Sequence, residues 1–357
     1  MQQVDYIIVG QGVSGSFLAW YLNQAKKTFL VIDNQTANSA SRIASGVINP
    51  ITGRRFVRTW MIEDIMPFAV SAYKKIEEKL GCYCIHQKNI INFHTTPQMQ
   101  LAFEERLSTE QEYLSKIEDT TLYNQYFNFS FGAGEIQPCW WINMQAFLNS
   151  MNQWLINENS FLEEDFEIEK LQLLNDEVIY KNIKAHKIFF CDGVQSTQNQ
   201  WFKNLPFALN KGEAILFSTQ EALPSENIFK QGLTITPWKE NLYWIGSTYE
   251  WNFSDLNPTD AFKQKTIATL NHWLKQPYII ENHLASVRPA NVERRPFVGF
   301  HPLHPQIGIL NGMGAKGCSL APYFANEITN FLTQKKPINS LADVQRFSKI
   351  LQRNISQ

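Results

Sequence analysis

The chain has 357 residues, more than one small domain needs, and the usual ~100–200 residues per domain point to two. Hydrophobic residues make up 44% against 18% charged, which supplies a large core and excludes a disordered chain. With 32 Lys plus Arg against 33 Asp plus Glu, a net charge of −1 offers no general attraction to nucleic acid or to an anionic membrane.

The first residues, MQQVDYIIVG, lack the basic start and cleavage site of a secretory signal, and no run of about 18 apolar residues follows anywhere. A soluble cytoplasmic protein without a membrane span is expected. Val4–Val9 reads as a strand, Ser14–Asn23 as a helix with Phe17, Leu18, Tyr21 and Leu22 at helical spacing, and Thr28–Asp33 as a second strand. Between strand and helix stands Gly10-Gln11-Gly12-Val13-Ser14-Gly15, and Asp33 follows Gly15 by eighteen residues (33 minus 15). Gly10 permits a tight turn, Gly12 lets the backbone approach a pyrophosphate, and Gly15 lets helix and strand pack closely. Asp33 can accept hydrogen bonds from an adenosine ribose, and its charge disfavours a 2′-phosphate, which admits FAD or NAD.

Residues 38–45 read as a polar loop running into Gly46-Val47-Ile48-Asn49-Pro50. Helices are predicted over Ile62–Leu80 and Met99–Ile117, with a strand over Ile90–His94. Trp140, Trp141, Met144, Phe147, Leu148, Met151 and Leu155 describe one apolar helical face after Pro138. Strands follow at 185–191, 211–217, 232–236 and 242–248, with Pro237 and Asn241 placed in turns. Near the carboxyl end, strand Ile307–Leu310 runs into Asn311-Gly312-Met313-Gly314-Ala315-Lys316-Gly317-Cys318 and a helix, a second glycine-rich turn able to receive an anion or a polar carbonyl edge.

Of ten arginines, four fall within 42–58 and three within 288–295, which suggests anion recognition in those windows. The five cysteines are scattered. Cys82 and Cys84 have one residue between them rather than the two of a typical zinc or redox pair, so no metal site is expected and a reducing compartment fits.

Together the segments VGQGVSG with Asp33, SRIASGVINP (41–50), FFCDGVQS (189–196), KGEAILF (211–217), TITPWKENLYWIGSTYE (234–250) and SVRPANVERRPFVG with NGMGAKGCSLAP resemble the D-amino-acid oxidase superfamily of FAD-dependent oxidoreductases, the group that includes glycine oxidase and sarcosine oxidase. The resemblance implies an α/β chain with a Rossmann-like FAD-binding domain built from 1–85, 138–205 and 286–357. An antiparallel-sheet substrate domain would comprise 86–137 and 206–285 and cover the flavin. It implies noncovalent FAD held by Gly10, Gly12, Val13, Ser14, Gly15, Asp33 and Asn34, by Arg42, Ala44, Ser45, Gly46 and Val47, by Gly193, and by Gly312, Gly314, Ala315, Lys316, Gly317 and Cys318.

The implied reaction is oxidation of the C–N bond of an amino acid or N-substituted glycine by hydride transfer to flavin N5, with oxygen or another acceptor taking the electrons. Arg288 matches the family's carboxylate-binding arginine. Thr234 stands where glycine oxidase has a substrate-binding tyrosine, for which Tyr249 can compensate, and Lys316 can stabilise charge on the reduced flavin. Three other readings stay open. The chain is also similar to the oxidoreductase that acts on carboxymethylaminomethyl-uridine in tRNA, although its neutral charge argues against a nucleic-acid partner; a nicotinamide-dependent dehydrogenase and a non-catalytic flavoprotein are the others.

Overall fold

The first strand, Gln2–Val9, is central in the computed structural model, which describes residues 1–353. It runs parallel to Phe29–Asp33 on one side and to Ile183–Phe190 on the other. Phe161–Glu163 extends the sheet beyond Phe29–Asp33, and Ile307–Asn311 pairs parallel with the last residues of Ile183–Phe190. Antiparallel strands Leu171–Leu173, Val178–Tyr180 and Phe297–Phe300 complete eight.

The stretches Tyr6–Val9, Phe29–Ile32, Ile188–Phe190 and Ile307–Leu310 are continuous apolar runs because both faces of the sheet are covered there. Ile8, Val31, Phe189 and Leu310 join a core with helices Val13–Gln24 and Gly317–Gln334, whereas Ile7, Leu30, Ile188 and Ile309 pack on the other face against Trp201, Phe202 and Phe347. The five parallel strands end along one edge, which gathers Gly10, Asp33, Asp192 and Gly312 at their carboxyl ends, where ligands bind in open α/β sheets.

A second eight-stranded sheet runs in the order Tyr278–Arg288, Asn210–Thr219, Leu242–Gly246, Leu233–Lys239, Asn227–Gln231, Asn89–Phe93, Ala133–Ile136 and Leu114–Lys116. Alternate residues serve different faces. Ile91, Phe93, Ile215, Phe217, Phe229, Ile235 and Ile245 pack on helix Asp260–Trp273, while Ile90, Leu114, Ile136 and Ile228 join the core beneath the first sheet's helices. That second face therefore looks toward the glycine turns.

Three expectations need correction. The helix predicted over Met99–Ile117 stops at Leu107, where the Ser108 and Thr109 hydroxyls donate to the Glu105 and Arg106 carbonyls and compete with the next turn; Leu114–Lys116 then forms a strand. Trp140 and Trp141 lie on strand Trp140–Ile142, and the helix begins only at Met144, capped by the Asn143 side chain accepting from the Ala146 N–H at 3.0 Å. Pro237 stands inside strand Leu233–Lys239 beside a bulge, so the turn is made by Asn241 with φ +53°.

Candidate active site

Backbone contact explains the first glycine turn. A β carbon at Gly15 would lie 1.9 Å from the Gly10 carbonyl oxygen, and one at Gly10, whose φ is +101°, would lie 2.5 Å from that of Cys191. Gly12 caps helix Val13–Gln24 with no side chain, so the first-turn N–H groups of Ser14 and Gly15 remain for a ligand. The Asp33 carboxylate is fixed at its strand end by the N–H of Gln11 at 2.7 Å and of Gln35 at 2.6 Å. These are the features a dinucleotide pyrophosphate and ribose need, and the residues present fit FAD.

The segment 41–47 closes on this turn. The Val13 N–H donates to Ser41 Oγ at 3.1 Å, Arg42 Nη2 donates to Gln11 Oε1 at 3.1 Å, and Gln145 Nε2 holds the Arg42 carbonyl at 2.7 Å. Gly46, with φ +75°, leaves a β carbon no room because the Ile142 carbonyl oxygen stands 1.9 Å away. Ala44 and Val47 pack partly buried against the main core, with Ser45 and Gly46 between them. Ser14 is buried in the helix start, whereas Asn34 turns outward to Asp165.

The last glycine turn lies alongside. Asn311 Nδ2 donates to the Gly193 carbonyl at 2.8 Å, and Gly193, Gly312 and Gly314 all take positive φ. A β carbon at Gly317 would come 3.1 Å from Val13 Cγ1, so the starts of helices Val13–Gln24 and Gly317–Gln334 abut and add their positive ends. Ala315 is exposed; Cys318 is buried, which pushes its thiol up to about 12 and leaves it unreactive. Lys316 Nζ donates to Thr59 Oγ1 at 3.2 Å, and burial, helped by Arg295 and Arg294, pulls its pKa down to about 8. Burial likewise pushes the Asp192 carboxyl up to about 7, against a hydrogen bond from Ser196.

Arg288 ends the edge strand of the second sheet. Its Nη1 donates to Asn210 Oδ1 at 2.7 Å and to the Thr248 carbonyl at 3.1 Å, its Nη2 donates to Ser247 Oγ at 2.7 Å, and the Tyr249 ring centre lies 4.6 Å from Cζ. Among the described residues no carboxylate pairs with it. Burial lowers its pKa, an effect that Tyr249 opposes. Tyr249 itself is 62% exposed, so it flanks the guanidinium rather than closing a pocket.

Not all clustered arginines face this cleft. Arg58 is spent on Glu63 and Glu110, and Arg295 stacks on Trp60 at 4.2 Å. Sequence reasoning missed Ser41, Gly212, Asn210 and Ser247, because ordinary polar and small residues announce no role until tertiary contacts are known. It also missed Trp244, whose Nε1 donates to the Ile43 carbonyl at 3.1 Å and ties the second sheet to the segment 41–47. One surface cavity of about 750 Å³, lined by Ala208, Leu209 and Trp251–Ser254, contains none of the expected cofactor residues.

Among the described residues no helix is long and apolar enough to cross a membrane, and no cluster of three or more potential ligands would hold a metal ion. The fold is that of glycine oxidase from Bacillus cereus ATCC 14579, with a TM-score of 0.81 at 17% identity over 95% of this chain and 97% of that one. L-proline dehydrogenase from P. horikoshii superposes with a TM-score of 0.79 at 15% identity over 98% of each chain, and iminodiacetate oxidase from Chelativorans sp. BNC1 with 0.76 at 17% over 94% and 96%. The sequence model of the DAO family, FAD dependent oxidoreductase, matches residues 5–331. The chain belongs to that family, and its cofactor is FAD.

Proposed function

We propose that the protein oxidises the C–N bond of an amino acid or N-substituted glycine to an imine, and that segments 1–85, 138–205 and 286–357 bind noncovalent FAD while 86–137 and 206–285 cover the substrate. The observation that carries this reading is Arg288, a partly buried guanidinium hydrogen-bonded by neutral partners and free of any protein carboxylate among the described residues. A buried cation without a counter-ion is costly unless a ligand supplies one, and a planar fork matches a carboxylate. Glycine oxidase and iminodiacetate oxidase, named for small substrates bearing a carboxylate and a C–N bond, share the fold.

FAD, when bound, supplies the two-electron acceptor. The chain supplies placement: Asn210, Ser247 and the Thr248 carbonyl hold the guanidinium, which holds the substrate carboxylate and fixes the adjoining carbon relative to the cofactor cleft. Trp244 lies over Gly246, where a β carbon would come 2.8 Å from the indole. The substrate amine must enter neutral, and no side-chain base is required. Lys316 offers a positive charge beside the last glycine turn.

The test is anaerobic flavin reduction by glycine, sarcosine, D-amino acids, L-proline and N-carboxymethyl amines, repeated with Arg288→Ala and Arg288→Lys. The wild type should bleach with at least one, Arg288→Ala should lose roughly a hundredfold or more in efficiency with FAD retained, and Arg288→Lys should recover only part. Equal losses for amines with and without a carboxylate would remove the assigned role.

A further inference from the structure

Three of the groups around Arg288 come from one short segment. Ser247 Oγ, the Thr248 carbonyl and the Tyr249 ring all stand just beyond strand Leu242–Gly246, where its regular pairing with strand Asn210–Thr219 ends. Trp251–Pro258 follows without helix or strand and is mostly exposed. Such a segment has no core of its own, so its ends are ordered only by what they touch.

One residue touches both ends. At the near end the Glu213 N–H donates to Thr248 Oγ1 at 2.8 Å and the Thr248 N–H to the Glu213 carbonyl at 3.4 Å, while Lys211 and Glu250 exchange N–H···O bonds of 2.9 and 3.0 Å. At the far end the Glu213 carboxylate accepts from the Thr259 N–H at 2.7 Å and from the Thr259 hydroxyl at 3.0 Å, and Thr259 caps helix Asp260–Trp273. The stretch from Ser247 to Thr259 is thus closed into a loop on a single strand position.

Glu213 does this from the side of the sheet away from Arg288. Gly212 lies under the guanidinium, whereas Ile215 and Phe217 pack on helix Asp260–Trp273, so strand alternation puts the Glu213 side chain on the helix face. It is 1% exposed and touches no substrate. A buried carboxylate persists only where it is paired and hydrogen-bonded; besides Thr259, His283 Nε2 stands 2.9 Å from Oε2, and Nζ of the buried Lys211 stands 3.8 Å from Oε1. A connection between strand and helix does not require an ion cluster at its base. A guanidinium that must meet its ligand in one place does require fixed partners.

We propose that Thr248, through its hydroxyl, and Glu213, through its carboxylate, are positioning residues for Arg288: together they close Ser247–Thr259 so that the substrate carboxylate meets a guanidinium already held in place. This rests on the reading that Arg288 anchors that carboxylate.

Titrations of the FAD-loaded protein with acetate and with acetamide, read by flavin absorbance, give the preference for a carboxylate over its neutral counterpart without turnover. The wild type should prefer acetate. Thr248→Val, an isosteric change at a half-buried site, should lower that preference on the order of tenfold with FAD retained, and Thr248→Ser, which keeps the hydroxyl, should restore it. Glu213→Gln keeps the size but turns one acceptor into a donor; it should lower the preference in the same direction and speed hydrogen exchange at the Thr259 amide. For any carboxylate-bearing amine that reduces the flavin, both losses should appear in the half-saturating concentration rather than in the limiting rate, which a merely structural role would not produce. An acetate preference that survives either Thr248→Val or Glu213→Gln in folded, flavin-loaded protein overturns the positioning role and leaves the Arg288 reading standing. A wild type that binds acetate no better than acetamide overturns the Arg288 reading, and the positioning role with it.

Discussion

The Arg288 guanidinium lies over Gly212 so closely that a β carbon there would come within 2.1 Å of Nη2 and 2.3 Å of Cζ. The absence of a side chain at one strand position thus fixes the cation supplied by the neighbouring strand. Gly212 does not occupy the left-handed region, so alanine costs its backbone little. Gly212→Ala is expected to displace the guanidinium from Asn210 and Ser247 and to raise the KM of carboxylate substrates on the order of tenfold or more, with FAD content intact. Unaltered kinetics would show that Arg288 has another equally good position.

The glycine turn predicts a graded loss of cofactor. At Gly15 a β carbon would meet the Gly10 backbone oxygen at 1.9 Å, an atom that cannot move without breaking the turn; at Gly12 it would meet the rotatable Ser41 hydroxyl at 3.0 Å. Gly15→Ala should therefore purify nearly free of FAD, whereas Gly12→Ala should retain part. Flavin absorbance per protein after gel filtration decides it, and equal retention in both would mean that the turn tolerates displacement.

How much was legible beforehand follows from the range of each signal. The turn at Gly10–Gly15 and the acid at Asp33 are local patterns on one chain segment, and the structure places them together. The helix expected over Met99–Ile117 failed because periodicity is blind to hydroxyls that compete for backbone carbonyls at Ser108 and Thr109. Trp140 and Trp141 fitted a helical face by spacing, yet their partners Val47–Ile48 and Ile85–Gln87 lie far away in sequence, where no local pattern reaches. Asn210 and Ser247 stayed invisible for the same reason: the Arg288 guanidinium they hold comes from a strand distant in sequence.

Asp192 predicts an inverted pH dependence for the apoprotein. Its carboxyl is pushed up to about 7 by burial, so between about pH 4 and pH 7 the folded protein binds more protons than the unfolded chain. Stability should fall as pH rises through that window, by a few kcal/mol at most, since the side chain is not wholly shut from solvent. Asp192→Asn keeps an acceptor for Ser196 and removes the charge, so the variant should be more stable than the wild type at pH 8 and lose less between pH 5 and pH 8. Thermal melts at the two pH values check this, and parallel losses would place the titration elsewhere.

Lys316 yields the sharpest test of how the last glycine turn serves the flavin. Burial, aided by two neighbouring arginines, lowers its pKa to about 8, so in the apoprotein the unfolded chain binds more protons between about pH 8 and pH 10.5. The buried ammonium is thus a cost, present in full below pH 8 and relieved as pH rises, and Lys316→Met should stabilise the apoprotein at pH 7 by up to about 3 kcal/mol. Such a cost is sensible if the charge serves the reduced cofactor. In the loaded protein Lys316→Met should lower the flavin reduction potential at pH 7, because a cation near the cofactor favours its anionic reduced form. The gap should narrow at higher pH as the wild-type ammonium loses its proton, with the midpoint moved above 8 by the negative charge that FAD brings. Lys349→Met, on the surface, is the control and should leave the potential alone. A potential that Lys316→Met leaves unchanged at pH 7, alongside the predicted gain in apoprotein stability, would mean that the ammonium bonds Thr59 without facing the flavin.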